Sequence, residues 1–300
     1  MTTKTLIATG AAAALLVAAA SLAPSPHRAE IAHRPTGVRE LVIDYRTHDG
    51  RTSHATVLLP SWYGPQRNPP LALVISPHGR GLWGSTNARL WGDLPTRGGF
   101  AVVNPDGEGE HLSGRFSWGA PGEIDDLARM PEIVVQALPW VKLDPERVYA
   151  LGGSMGGQET LLLLGRYPKL LAGAVVVDPA VDFARRYRDF PEAQRRLARR
   201  EVGGTPSSVP ELYAERTAFT YVKAIAGSGV PLQVWWSRSD KIIVHSPLHS
   251  GLLIRRIREL NPEAPLDVHT GTWRHTHPLR WDRQLPTMLA GLGLLDAGDL

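Results

Sequence analysis

The chain has 300 residues, 43% hydrophobic and 21% charged, which excludes a disordered or collagen-like polymer and suits one large globular domain. Its 33 basic and 29 acidic residues leave a formal charge of +4, too small to make nucleic acid the expected partner. With no cysteine at all, disulfide frameworks, zinc fingers and thiol nucleophiles are excluded.

Lys4 precedes an alanine-rich apolar run from Leu6 to Ala23. A positive start, an apolar middle and small residues at Ala18 and Ala20 have the form of a secretory signal, with cleavage expected after Ala20 or Ala23. Residues 1–20 or 1–23 are thus expected to be removed on export to the medium or cell envelope, leaving no stable membrane span; the other reading of the same run is an uncleaved anchor helix. Residues 24–37 read as an N-terminal tail and 38–300 as the folded domain.

Two alternating runs, VRELVIDYRTH and RTSHATVLLP, flank Asp49-Gly50 and predict a β-hairpin. Short continuous apolar runs follow at 71–77, 99–106, 146–154, 171–179, 230–240 and 265–273, as expected of strands buried on both faces. Helical periodicity separates several of them, over 124–141, after Ser154, over 252–260 and at the C-terminal end. Pro131 must start, kink or break the first of these. Strands alternating with helices predict an α/β fold, a mostly parallel sheet with an N-terminal hairpin and helices on both faces. Residues 179–229 are too many for one crossover helix and predict a small helical insertion over the sheet's carboxyl edge. Its run of arginines, from Arg185 to Arg200, reads as a solvated helix face with acidic neighbours, or as a surface favouring an anionic substrate.

The sequence ALGGSMGG places Ser154 in G-x-S-x-G, directly after a buried strand and before an apolar helix. That context makes a nucleophile elbow, in which a tight turn lifts one hydroxyl above the strand ends. The helix that starts there aims backbone N–H groups at a developing oxyanion, the Met155 N–H first among them. A second oxyanion donor is expected from the loop His78-Gly79-Arg80-Gly81, at the Arg80 N–H or else at Gly79, with the His78 ring bracing the loop. Serine needs a base and an orienting acid. Asp240 follows the strand run LQVWW, and His275 and His277 follow the last strand, so either histidine can complete the set. Trp235, Trp236 and Trp273 are candidates for an acyl pocket, and Asp106 for a pocket-lining loop. His245 and His249, four residues apart, and His275 with His277 form no recognised metal motif, so no metal and no cofactor is expected.

The motifs HGRG, GGSMGG, SRSDKIIV and GTWRHTHP, in this order, resemble the α/β-hydrolase superfamily over roughly residues 38 to 297. The chain is most similar to its prolyl oligopeptidase-like and dienelactone hydrolase-like branches, in the form of exported actinobacterial hydrolases. The resemblance implies Ser154 as nucleophile, Asp240 as acid and His275, rather than His277, as base. Some relatives draw the acid from an earlier strand end, where Asp178 stands. The chain departs from both branches. It has no room for the β-propeller of prolyl oligopeptidases, and no cysteine for the dienelactone hydrolase nucleophile. Its elbow also resembles secreted cutinase-like enzymes, which usually lack the His-Gly pair seen here. The implied activity is a secreted serine esterase acting on a small ester or acyl compound. Alternatives on the same triad are a small-peptide peptidase or an acyltransferase, and outside catalysis a surface binding protein. The sequence indicates no particular oligomeric state.

Overall fold

The computed structural model describes residues 37–296 and Gly298. The expected signal at 1–23, and all of the 24–37 tail except Gly37, lie outside the described residues. Eight strands form one sheet: β1 (Val38–Arg46), β2 (Thr52–Pro60), β3 (Leu71–Ile75), β4 (Phe100–Pro105), β5 (Leu143–Gly153), β6 (Gly173–Val177), β7 (Leu232–Ser237) and β8 (Leu266–Gly271). Their order across the sheet is β1-β2-β4-β3-β5-β6-β7-β8. The hairpin β1–β2 and the β2–β4 pair are antiparallel, and every later pair is parallel. This is the α/β-hydrolase fold.

The α-helices between the strands are α1 (Gly84–Ala88), α2 (Leu94–Gly98), α3 (Pro121–Ala128), α4 (Met130–Ala137), α5 (Met155–Arg166), α6 (Phe183–Asp189), α7 (Glu192–Val202), α8 (Pro210–Glu215), α9 (Val222–Gly227) and α10 (Leu252–Leu260), and α11 (Leu285–Ala290) follows β8. Pro131 separates α3 from α4 and occupies the first turn of α4, where its missing N–H leaves no bond unmade.

Alternation along the strands sends side chains to two cores. Leu73, Ile75, Val176 and Trp236 join α3, α4, α5, α9 and α10 on one face. Val74, Val175, Val177 and Trp235 join α1, α2 and α11 on the other. Both faces being covered, the strands read as unbroken apolar runs. The segment between β6 and β7 folds as α6 to α9. Phe183, Tyr187, Phe190 and Tyr213 from it pack on Trp118 and Met155 in a third, smaller core beside the start of α5.

Candidate active site

Ser154 stands between the last residue of β5 and the first of α5, with φ 59° and ψ −118°. Its N–H is tied to the Val177 carbonyl at 2.9 Å, which pins the turn to the end of β6. The glycines around it answer to space. A Cβ on Gly152 would come within 2.4 Å of the Gly156 carbonyl oxygen, and one on Gly156 within 2.1 Å of the Pro77 carbonyl oxygen. The start of α5 therefore seats directly on the loop that carries His78 and Gly79. No backbone carbonyl takes the N–H of Met155 or of Arg80 among the described residues, so both are free to meet an oxyanion.

His78 is buried, with its ring nitrogens 3.0 Å from the Gly79 carbonyl and 3.1 Å from the Asp106 carbonyl. Burial pushes the ring below its ordinary pKa. The ring ties the loop after β3 to the loop after β4, as a brace. The Asp106 carboxylate accepts the Gly84 N–H at 2.7 Å, at the start of α1.

Asp240 follows β7, and its side chain is fully buried. One oxygen accepts the N–H groups of Ile242 (2.7 Å) and Ile243 (3.1 Å). The other lies 2.7 Å from His275 Nδ1. Burial works to raise this carboxyl, but the His275 hydrogen bond and charge and the two amides outweigh it and hold it below its ordinary value. His275 keeps Nε2 for a proton from elsewhere. His277 is exposed and meets no carboxylate among the described residues; its N–H donates to the Arg274 carbonyl at 2.9 Å.

Asp178, directly after β6, holds a different set of partners. Its Oδ1 accepts the Ser237 N–H at 2.7 Å, and its Oδ2 accepts the Trp273 indole N–H (3.1 Å) and the Thr276 N–H (2.8 Å). Two of these donors belong to the loop that carries His275. Burial, and then the Asp240 charge against the opposing amides and His275, raises the Asp178 carboxyl. Asp178, Asp240 and His275 bring ligand-type atoms within 4.8 Å of one another. Both carboxylates already accept N–H donors on both oxygens, so the trio is a hydrogen-bond network rather than a cation seat.

Ser154, His275, His277, Gly79 and Arg80 line one cavity of about 480 Å³. Its lining also includes Ile242, Leu279 and Arg280. Trp235, Trp236, Trp273 and Asp106, expected at the pocket, do not line it. Trp236 is buried in the opposite core, and Trp235 stacks on His269 at 3.7 Å. Trp273 turns its indole to Asp178, and Asp106 is engaged at α1. Neighbouring strand residues face opposite ways, so Trp235 and Trp236 cannot share a pocket. A second hollow of about 520 Å³, lined by Leu58, Ala88, Thr96 and Trp281, holds neither serine nor histidine. Sequence reading missed the basic lining from Arg274 and Arg280, whose only signal is their nearness to His275.

A model of the prolyl oligopeptidase family matches residues 93–254, a span that includes Ser154 and Asp240 but stops short of His275. The uncharacterized peptidase YtmA of Bacillus subtilis (strain 168) is 27% identical over 194 residues, covering 64% of this chain and 70% of that protein. Among solved structures, the Staphylococcus aureus fluorophosphonate-binding serine hydrolase FphF superposes with a TM-score of 0.64 at 17% identity, over 86% of this chain and 99% of that one. The Pyrococcus horikoshii acylaminoacyl peptidase gives a TM-score of 0.65 at 16% identity, over 86% of this chain but only 41% of that longer one. Those two likenesses speak to the fold. The family match covers more than half of the sequence, and on it the chain belongs to the prolyl oligopeptidase family of serine hydrolases.

Proposed function

We propose that this protein is an exported serine hydrolase that cleaves a small ester through an acyl-enzyme on Ser154. The observation that carries the reading is the Asp240–His275 hydrogen bond of 2.7 Å, beside a cavity that also contains the elbow serine. His275 Nε2 takes the Ser154 proton as the hydroxyl oxygen attacks the carbonyl carbon, and Asp240 stabilises the imidazolium that forms. The oxyanion is held by the N–H groups of Met155 and Arg80. Collapse breaks the bond to the leaving group, which departs with the proton from His275. Water then enters by the same route in reverse and releases the acid.

The ester preference rests on the cavity, whose volume of about 480 Å³ suits a small acyl group. Amide cleavage on the same residues is favoured by the match to the prolyl oligopeptidase family and by the peptidase name of the Bacillus relative. Export rests on the N-terminal sequence from Lys4 to Ala23.

The test is fluorophosphonate labelling with peptide mapping on the wild type, His275→Ala and His277→Ala. We expect the adduct on Ser154 in the wild type and in His277→Ala, and its loss in His275→Ala. An adduct that survives in His275→Ala and disappears in His277→Ala would reverse the assignment of the base. A folded wild type that takes no label would remove the hydrolase reading.

A further inference from the structure

Arg186, on α6, is only 6% exposed. Its guanidinium carbon sits 4.4 Å from the centre of the Phe190 ring. Arg80, which lines the Ser154 cavity, places its own guanidinium carbon 5.8 Å from the same ring centre. Among the described residues neither arginine is in an ion pair. The Gln194 amide on α7, with its oxygen turned toward Arg80, accepts from Nη1 (3.1 Å) and Nη2 (3.3 Å), a neutral partner only. The acid charges felt by Arg186 are those of Asp189 and Asp240. Asp240 is occupied by His275, and one Asp189 oxygen lies 3.2 Å from His245 while the other is buried without a partner. Burial, and then the Arg80 charge, pulls the Arg186 guanidinium down to about 10.

Two cations brought to one aromatic ring, one of them almost fully buried, repel each other and cost desolvation, and such an arrangement wants an anion. The cavity repeats the sign: its ionisable lining is Arg80, Arg274, His275, His277 and Arg280, with no carboxylate. We infer that Arg80, which lines the Ser154 cavity, and Arg186, packed behind it on the same Phe190 ring, form an anion subsite next to that cavity, and that the natural substrate is an ester or amide carrying a free carboxylate. A planar guanidinium matches a carboxylate through two parallel N–H donors, which a neutral acyl chain cannot use. The inference deepens the hydrolase reading and rests on Ser154 as its nucleophile.

The experiment has a binding arm and a turnover arm. Calorimetry with glutarate and with inorganic phosphate is run on the wild type, Arg186→Gln, Arg186→Lys and Arg188→Gln, the last removing an exposed charge from the same helix. Glutarate is expected to bind the wild type and Arg188→Gln alike, roughly thirtyfold more weakly to Arg186→Gln, and at an intermediate strength to Arg186→Lys. In turnover, kcat/KM for the mono-p-nitrophenyl ester of glutarate is expected to exceed that for p-nitrophenyl butyrate. Arg186→Gln should raise KM for the charged ester at least tenfold while holding the neutral one within about twofold. A wild type that does not bind glutarate overturns the subsite, and points to Asp189 as the partner of Arg186. Equal losses on both esters overturn it as well. Phosphate binding tighter than glutarate overturns the carboxylate class. Hydrolysis of both esters by Ser154→Ala would instead sink the nucleophile assignment, and leaves the calorimetry to decide the subsite by itself.

Discussion

Asp178 and Asp240 are both buried carboxylates at strand ends, yet their surroundings give them different work. Asp240 touches the imidazole itself; Asp178 holds the Thr276 N–H and the Trp273 indole, and so fixes the loop from which His275 projects. Asp178→Asn keeps a residue tolerant of the positive φ of 46° found there, but turns an NH₂ toward N–H donors. We expect it to lower kcat about tenfold with little change in KM, and to cost about 2 kcal/mol in urea unfolding, as for a buried acceptor lost. Asp240→Asn should lower kcat roughly ten-thousand-fold, since the imidazole loses both its tautomer and its counter-charge. Similar losses in the two variants would mean that Asp178 takes part in the proton transfer.

At the scale of elements, α7 packs Ala198 and Val202 into the third core and carries one buried acid that ties it to another loop. Glu201 is completely buried and accepts the N–H groups of Glu110 (2.7 Å), His111 (3.1 Å) and Leu112 (2.7 Å), with Arg216 at 3.7 Å. It fastens the insertion to the loop after β4. Glu201→Ala leaves three amides without an acceptor and takes from the buried Arg216 its largest counter-charge, and should cost about 3–5 kcal/mol by chemical denaturation. The pair Glu201→Ala with Arg216→Met should cost less than the sum of the two single changes, the deviation being the coupling. Much of this layer was legible beforehand. Strands covered on both faces produce the apolar runs at 71–77 and 171–179, and Pro131 marked the break between α3 and α4. The helices α1 and α2 were not legible, because five residues make too little more than one turn for a period to register. The elbow, Asp240 and the histidine loop were readable because each needs its residue types at a strand end. The facing of Trp235 and Trp236 was not, since alternation says that they differ but not which one meets which core. Arg186 was hidden in a run of like residues, and only the docking of α6 separates it from its solvated neighbours.

The whole molecule carries two buried acids that act on each other, Glu159 and Glu123. Glu159 on α5 is buried, takes a hydrogen bond from the Ser117 hydroxyl at 2.6 Å, and is raised by burial from 4.5 to about 8. Glu123 nearby is raised as well, by burial and by Glu159. The folded protein therefore holds a proton on Glu159 that the unfolded chain releases near 4.5. The stability it lends is full below that point and declines as pH rises toward about 8. Glu159→Gln retains an oxygen for Ser117 and cannot ionise. It should flatten the fall in melting temperature between pH 5 and pH 8, and at pH 8.5 exceed the wild type by about 1–2 kcal/mol. A wild type whose stability climbs over that interval would show Glu159 to be ionised in the fold.

Ser154 is held at φ 59° and ψ −118°, a conformation that L-residues resist by about 1–3 kcal/mol and that glycine adopts freely. The domain thus bears a standing handicap at one position, tolerated only while the hydroxyl is in use. In a lineage that gave up chemistry, selection for persistence alone would favour glycine there. Among paralogues of this chain, a glycine at position 154 beside intact Gly152 and Gly156 would date the retirement of an enzyme whose architecture outlived its trade.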